Sequence, residues 1–89
     1  MRLDKFLKIS RLIKRRTVAN ELCKGGHVRI NGKIAKAAAE VHPGDELTLR
    51  MGKRLIRVVI EKTPEKAVAV QEAATLYRVV SDDMLPVPL

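Results

Sequence analysis

Arg2, Lys5, Lys8, Arg11, Lys14, Arg15 and Arg16 place seven bases in the first sixteen residues, with Asp4 the sole acid among them. The chemistry such side chains perform is the holding of anions, phosphate above all. Arg offers a planar fork that meets two oxygens at once, and Lys a mobile point charge. The densest part is SRLIKRRT at 10–17, where Leu12 and Ile13 interrupt the bases. A charge run is ordinarily a solvated face, and that is the competing reading here. Against it, Arg29, Lys33 and Lys36 extend the basic series further along the chain.

Other chemistry is poorly supplied. Cys23 stands beside Leu22 on what the spacing predicts to be an apolar helix face, the ordinary setting of an inert thiol. His27 and His42 are fifteen residues apart, with neither a second Cys nor a carboxylate at ligand spacing. The acids are scattered, and no pair is spaced for general acid–base work. The glycines of CKGGH follow a helix instead of opening one, so they lack the geometry of a phosphate-cradling loop. No catalysis, metal or cofactor is expected.

The bulk charge agrees with anion binding. The 89 residues carry 18 Lys and Arg against 10 Asp and Glu, a net charge of +8. Residues 1–60 hold 15 basic and 5 acidic side chains, whereas residues 61–89 hold 3 and 5. A basic body with a mildly acidic end points to a polyanionic partner, nucleic acid before anionic membrane. Membrane binding needs an exposed apolar face beside the bases, and Leu12 and Ile13 are the only candidates. The two aromatics, Phe6 and Tyr77, both look like core, so stacking on unpaired bases has few platforms. What remains is recognition of backbone and shape in structured RNA. A single cysteine permits no intrachain disulfide, no apolar run is long enough to span a bilayer, and the N-terminus has no signal-peptide core. The chain reads as cytosolic.

These bases need elements to position them. Leu3, Phe6 and Leu7 recur at helical spacing and predict a helix over 2–9, from which Arg2, Lys5 and Lys8 project as a stripe. A connector over 10–14 follows, with Leu12 and Ile13 tucked beneath it. A second helix is predicted from about Arg15 to Lys24, burying Val18, Ala19, Leu22 and Cys23 and ending at Gly25-Gly26. Arg15 and Arg16 then sit at a helix N-terminus, where the macrodipole disfavours cations by some tenths of a kcal/mol. A phosphate at that place would meet free N–H groups and guanidinium forks together.

The period then changes to two. HVRING sets Val28 and Ile30 on one face and His27, Arg29 and Asn31 on the other, and Asn31-Gly32 predicts a type I′ hairpin into 33–36. HPGDE is a tight turn, and ELTLRM and LIRVVIEK are two further strands joined around Gly52-Lys53. After a break at Thr63-Pro64-Glu65, QEAATLYRVV predicts an amphipathic helix over about 71–80, with Ala73, Leu76, Tyr77 and Val80 on one side. Residues 81–89 read as a flexible tail. The expected fold class is therefore α+β: two short N-terminal helices on a small, mostly antiparallel sheet, with a C-terminal helix. The expected division is 1–62, 63–80 and 81–89.

RLDKFL at 2–7, RRTVANELCKGGHVRING at 15–32 and VHPGDEL at 41–47 resemble the small RNA-binding domain named after small-subunit ribosomal protein four, in order and spacing. The resemblance covers about residues 1–50. Many members place a Ser before the first Arg of the second helix, where this chain has Lys14. RLDKFLKISRLIKRRTVA is most similar to the RqcP family of bacterial ribosome-associated quality control factors, which is related to the fifteen-kilodalton heat-shock ribosome-binding proteins. The resemblance implies a monomeric, non-catalytic factor that binds large-subunit ribosomal RNA and P-site peptidyl-tRNA on stalled subunits. It would support alanine tailing by the factor RqcH. Arg2 and Arg16 match the family positions that meet RNA. Arg11, Lys14 and Arg15 come next, then Lys5, Lys8, Arg29 and Lys36. Two alternatives stay open: large-subunit rescue without tailing, as in the heat-shock relatives, and an accessory role beside a separate RNA-modifying enzyme.

Overall fold

A computed structural model describes residues 1–66 and 68–84. Helix α1 spans Leu3–Ile9 and α2 Arg16–Lys24. Strands β1 (Val28–Ile30), β2 (Lys33–Ile34), β3 (Glu46–Met51) and β4 (Arg54–Ile60) follow. A short helix α3 (Val70–Ala73) runs into a 3-10 turn (Ala74–Leu76) and then β5 (Tyr77–Met84). The sheet is antiparallel throughout, in the order β2-β1-β3-β4-β5.

The pleat decides which side is covered. Val28, Leu47, Leu49, Ile56, Val58 and Ile60 alternate onto one face and are buried there with Leu3, Phe6 and Leu7 of α1 and Ala19 and Cys23 of α2. Each fully buried large aliphatic contributes roughly 1.5–3 kcal/mol, so this single layer of contacts holds the helices to the sheet. Arg29, Thr48, Arg50 and Arg57 alternate onto the uncovered face.

Local chemistry sets the boundaries. Gly26 adopts φ +76° directly after α2, letting His27 N–H donate to Leu22 O and Gly26 N–H to Cys23 O, which closes the helix end. Asn31 and Gly32 both have positive φ, as the predicted type I′ turn requires. The two turns are tied together: Asn31 Nδ2 donates to Asp45 Oδ1, and Glu46 N–H donates to Asn31 Oδ1.

Three expectations need correction. The helix predicted over 71–80 exists only as the short pieces from Val70 to Leu76, and Tyr77–Met84 is a strand on β4. The segment is β-branched at Val79 and Val80, its helical start has no side-chain cap, and the open edge of β4 offers a full row of hydrogen-bond partners. Ala73 and Leu76 keep their predicted burial, Tyr77 packs against the core, and Val80 is exposed. Secondly, Ser81–Met84 belong to that strand and are not tail; residues 85–89 lie outside the described residues. Thirdly, Val18 is 42% exposed, because α2 presents the Ala19–Cys23 stripe to the core and Val18 lies a turn of about 100° away from it.

Candidate nucleic-acid interface

The site is organised by an acid. Asp4 is buried, with its side chain 1% exposed, in the first turn of α1, where the helix dipole favours a carboxylate. Arg2 donates to it from Nε (3.1 Å to Oδ1) and from Nη2 (3.2 Å to Oδ2). Arg16 Nε donates to Oδ2 at 3.3 Å, and Lys5 N–H donates to Oδ1 at 2.8 Å. Burial opposes the charge on Asp4. The hydrogen bonds from Arg2 and Arg16, the Arg16 charge and the Lys5 N–H outweigh it and hold the carboxyl below its ordinary value. About half of each arginine side chain remains exposed. The carboxylate thus fixes one edge of each guanidinium and leaves other N–H groups for an outside acceptor.

The backbone around Arg2 is equally fixed. Leu3 N–H donates to Ala39 O (2.8 Å), Asp4 N–H to Ala37 O (3.1 Å) and Val41 N–H to Met1 O (2.9 Å). Segment 37–41 therefore caps α1 and pins the first two residues as a bridge, Arg2 opposite Glu40.

The connector between the helices is held from below. Ile13 and Ser10 are buried and Leu12 is half-buried, while Arg11, Lys14 and Arg15 are exposed. Arg11 has φ +61°, at the position after a helix where glycine is common. That conformation costs an ordinary residue roughly 1 kcal/mol or more, which is unexplained by packing at an exposed site. Helix α2 starts one residue later than expected, so the capping position is Arg15 and not Lys14, and no side chain caps it. The first turn of α2 is left to meet an acceptor from outside.

Arg2 also opens onto a groove of about 700 Å³ between α2 and the segment after β2. Lys36 and Lys24 line it, as does Asn20. Arg2, Arg11, Lys14, Arg15, Arg16 and Lys36 therefore belong to the helical side of the molecule. Lys8 is exposed on α1, but Lys5 is half-buried and turns away, its Nζ donating to Glu65 O at 3.2 Å. The predicted stripe of Arg2, Lys5 and Lys8 is thus divided. Arg29 lies on the uncovered sheet face, paired across β1 and β2 with Ile34 of the groove.

Two participants escaped the reading of the sequence. Asp4 looked like a lone acid in a basic run, though its spacing from Arg2 in RLD was visible. Lys24 was passed over, although Arg16, Asn20 and Lys24 recur every four residues along α2. Cys23 is a buried free thiol, its pKa raised by burial and by the nearby Asp4 charge. Among the described residues no three His, Cys, Asp or Glu side chains are grouped to hold a metal, and no helix is long and apolar enough to cross a membrane.

Comparison with known proteins identifies the family. The S4 domain family model covers residues 1–47. The chain is 52% identical over 83 residues to the RQC P-site tRNA stabilizing factor of Halalkalibacterium halodurans, covering 93% of each chain. It is 48% identical over 85 residues to the protein of the same name from Bacillus subtilis, covering 96% of this chain and 98% of that one. Among solved structures, the trimeric Heat Shock Protein 15 of Vibrio cholerae superposes with a TM-score of 0.82 at 37% identity, covering 91% of this chain and 82% of that one. With the S4 domain model matched over more than half of the chain and relatives about half identical along nearly its whole length, the chain belongs to the S4-domain family of RNA-binding proteins, in the group of the RQC P-site tRNA stabilizing factors.

Proposed function

We propose that the chain is a non-catalytic RNA-binding factor of ribosome-associated quality control, acting in the cytoplasm as a monomer. It binds a large ribosomal subunit that still carries peptidyl-tRNA, contacts ribosomal RNA and the P-site tRNA, and keeps that tRNA in place while RqcH adds alanines to the stalled chain. The observation that carries this is the pair Arg2 and Arg16, aimed outward by the buried Asp4 on an S4-type helical surface. Arg11, Lys14 and Arg15 flank them, and Lys8 and Lys36 extend the contact. Lys5 takes a supporting part. Residues 1–62 form the RNA-binding unit, and the chain beyond them supplies the edge strand of its sheet.

The likeness to Heat Shock Protein 15 supports a second reading, rescue of large subunits without tailing. Deleting the gene and probing stalled chains for C-terminal alanine separates the two. Loss of the alanine tails is expected; tailing at the wild-type level overturns the first reading in favour of the second.

A further inference from the structure

The uncovered face of the sheet holds a second group of bases. Arg29 on β1, Thr48 on β3 and Arg57 on β4 stand in one register row, and Arg50 lies two residues along β3 on the same face. Neighbouring strands are spaced by about 4.8 Å, so Arg29 and Arg57 flank the Thr48 hydroxyl across about 10 Å. Together they line a concavity of about 380 Å³, with Gly32 on its rim, where no side chain obstructs approach.

None of these three guanidiniums makes an ion pair or a side-chain hydrogen bond among the described residues. Arg54 and Arg78, towards the sheet's far edge, are neutralised by Asp82 and Glu61. The Nη2 of Arg50 is enclosed and has no hydrogen-bond partner. Arginine cannot shed its proton to relieve this, so the fold tolerates an unsatisfied charged donor. Glu46 also lines the concavity but lies beyond ion-pair distance of the arginines, and the lining keeps an excess of positive charge. The ligand chemistry follows from the donors: forks and a hydroxyl, with Leu55 the one large apolar contributor. A protein partner would look for aromatic or aliphatic anchors, whereas a phosphodiester backbone needs only these donors.

We propose that this concavity is a second phosphate site, taking the backbone of an RNA strand on the uncovered face of the sheet and adjoining, at Gly26, the groove beside Arg2. The inference rests on the reading that the chain binds RNA.

The test uses the full chain and a fluorescent RNA hairpin, with anisotropy over a salt series, and two exposed-site variants, Arg57→Gln and Arg29→Gln, whose folding is checked by circular dichroism. Each variant is expected to lower the log–log salt slope by about one unit and to weaken binding about fivefold. Unchanged slope and affinity in both variants overturn the inference while leaving the helical site intact. If wild type fails to bind the hairpin at all, the inference and the function reading fall together. If a polyglutamate probe at matched ionic strength shifts the Arg29 and Arg57 side-chain NMR signals while RNA leaves them in place, the face docks an acidic protein and the inference is overturned.

Discussion

Two Arg–carboxylate clusters of similar geometry occur in this molecule, one on the helical pair and one on the β4–β5 edge of the sheet. At one, Asp4 is buried and holds Arg2 and Arg16; at the other, Asp82 takes both Nε (3.0 Å) and Nη2 (2.7 Å) of Arg54, with both side chains well exposed. The second pair has the shorter contacts, yet it counts for less. Exposed pairs are screened by water and salt, and their Coulomb gain is largely spent on ordering two side chains. The buried acid cannot be solvated in place of its partners, so it must be satisfied by them. The difference also concerns surplus. Arg54 spends its fork on a single acid, while one acid shared between two arginines leaves net positive charge facing outward. Burying the carboxylate turns an ion pair into a device for aiming bases.

Removing that acid should have the largest effect. Asp4→Asn is expected to cost about 2 kcal/mol in urea unfolding and to weaken RNA binding, because Arg2 and Arg16 lose the negative charge and one of the two acceptor oxygens becomes a donor NH2. The pH dependence follows. The folded pKa of Asp4 lies below its ordinary value of 3.8, so the folded state binds fewer protons than the unfolded state there. Its stabilisation is complete above the ordinary value and is lost as pH falls through the lower, folded one. A urea midpoint followed over acid pH should show this fall in wild type and a shallower one in Asp4→Asn; equal profiles would assign the acid sensitivity to other groups.

Arg16→Ala sharpens the contrast by separating stability from binding. Arg2 still satisfies Asp4, so unfolding should change by less than about 1 kcal/mol, while RNA affinity drops about tenfold. Arg11→Gly should split the two quantities further. It relieves the positive φ and is expected to raise stability by about 0.5–1 kcal/mol while weakening RNA binding. A gain in stability with unchanged binding would mean that Arg11 is retained for something other than RNA. The smallest effect belongs to the exposed pair: Arg54→Ala should leave both the melting temperature and RNA affinity unchanged within error.

Much of this arrangement is legible in the sequence. Gly25-Gly26, Asn31-Gly32 and the alternation of HVRING announce their structures because each requirement is local. The bases themselves were plain from count and position. What could not be read is the partnership that aims them, since Asp4 and Arg16 are twelve residues apart and meet only when α1 packs on α2. The same holds for β5. Residues 71–80 fit a helical period and a strand almost equally, and the unpaired edge of β4 decided between them, a partner invisible to any local window. Arg29 illustrates the reverse: its alternation placed it on the outer face from the start, yet charge alone grouped it with the helical bases.

On the proposed function, the outward-held arginines of the buried cluster, and not the chain's positive charge at large, bind the large subunit. Co-sedimentation of Arg16→Ala and Arg54→Ala with large subunits carrying peptidyl-tRNA tests it with equal loss of charge in both. Arg16→Ala should leave the large-subunit fraction and Arg54→Ala should remain in it; equal retention, or equal loss, would contradict the claim.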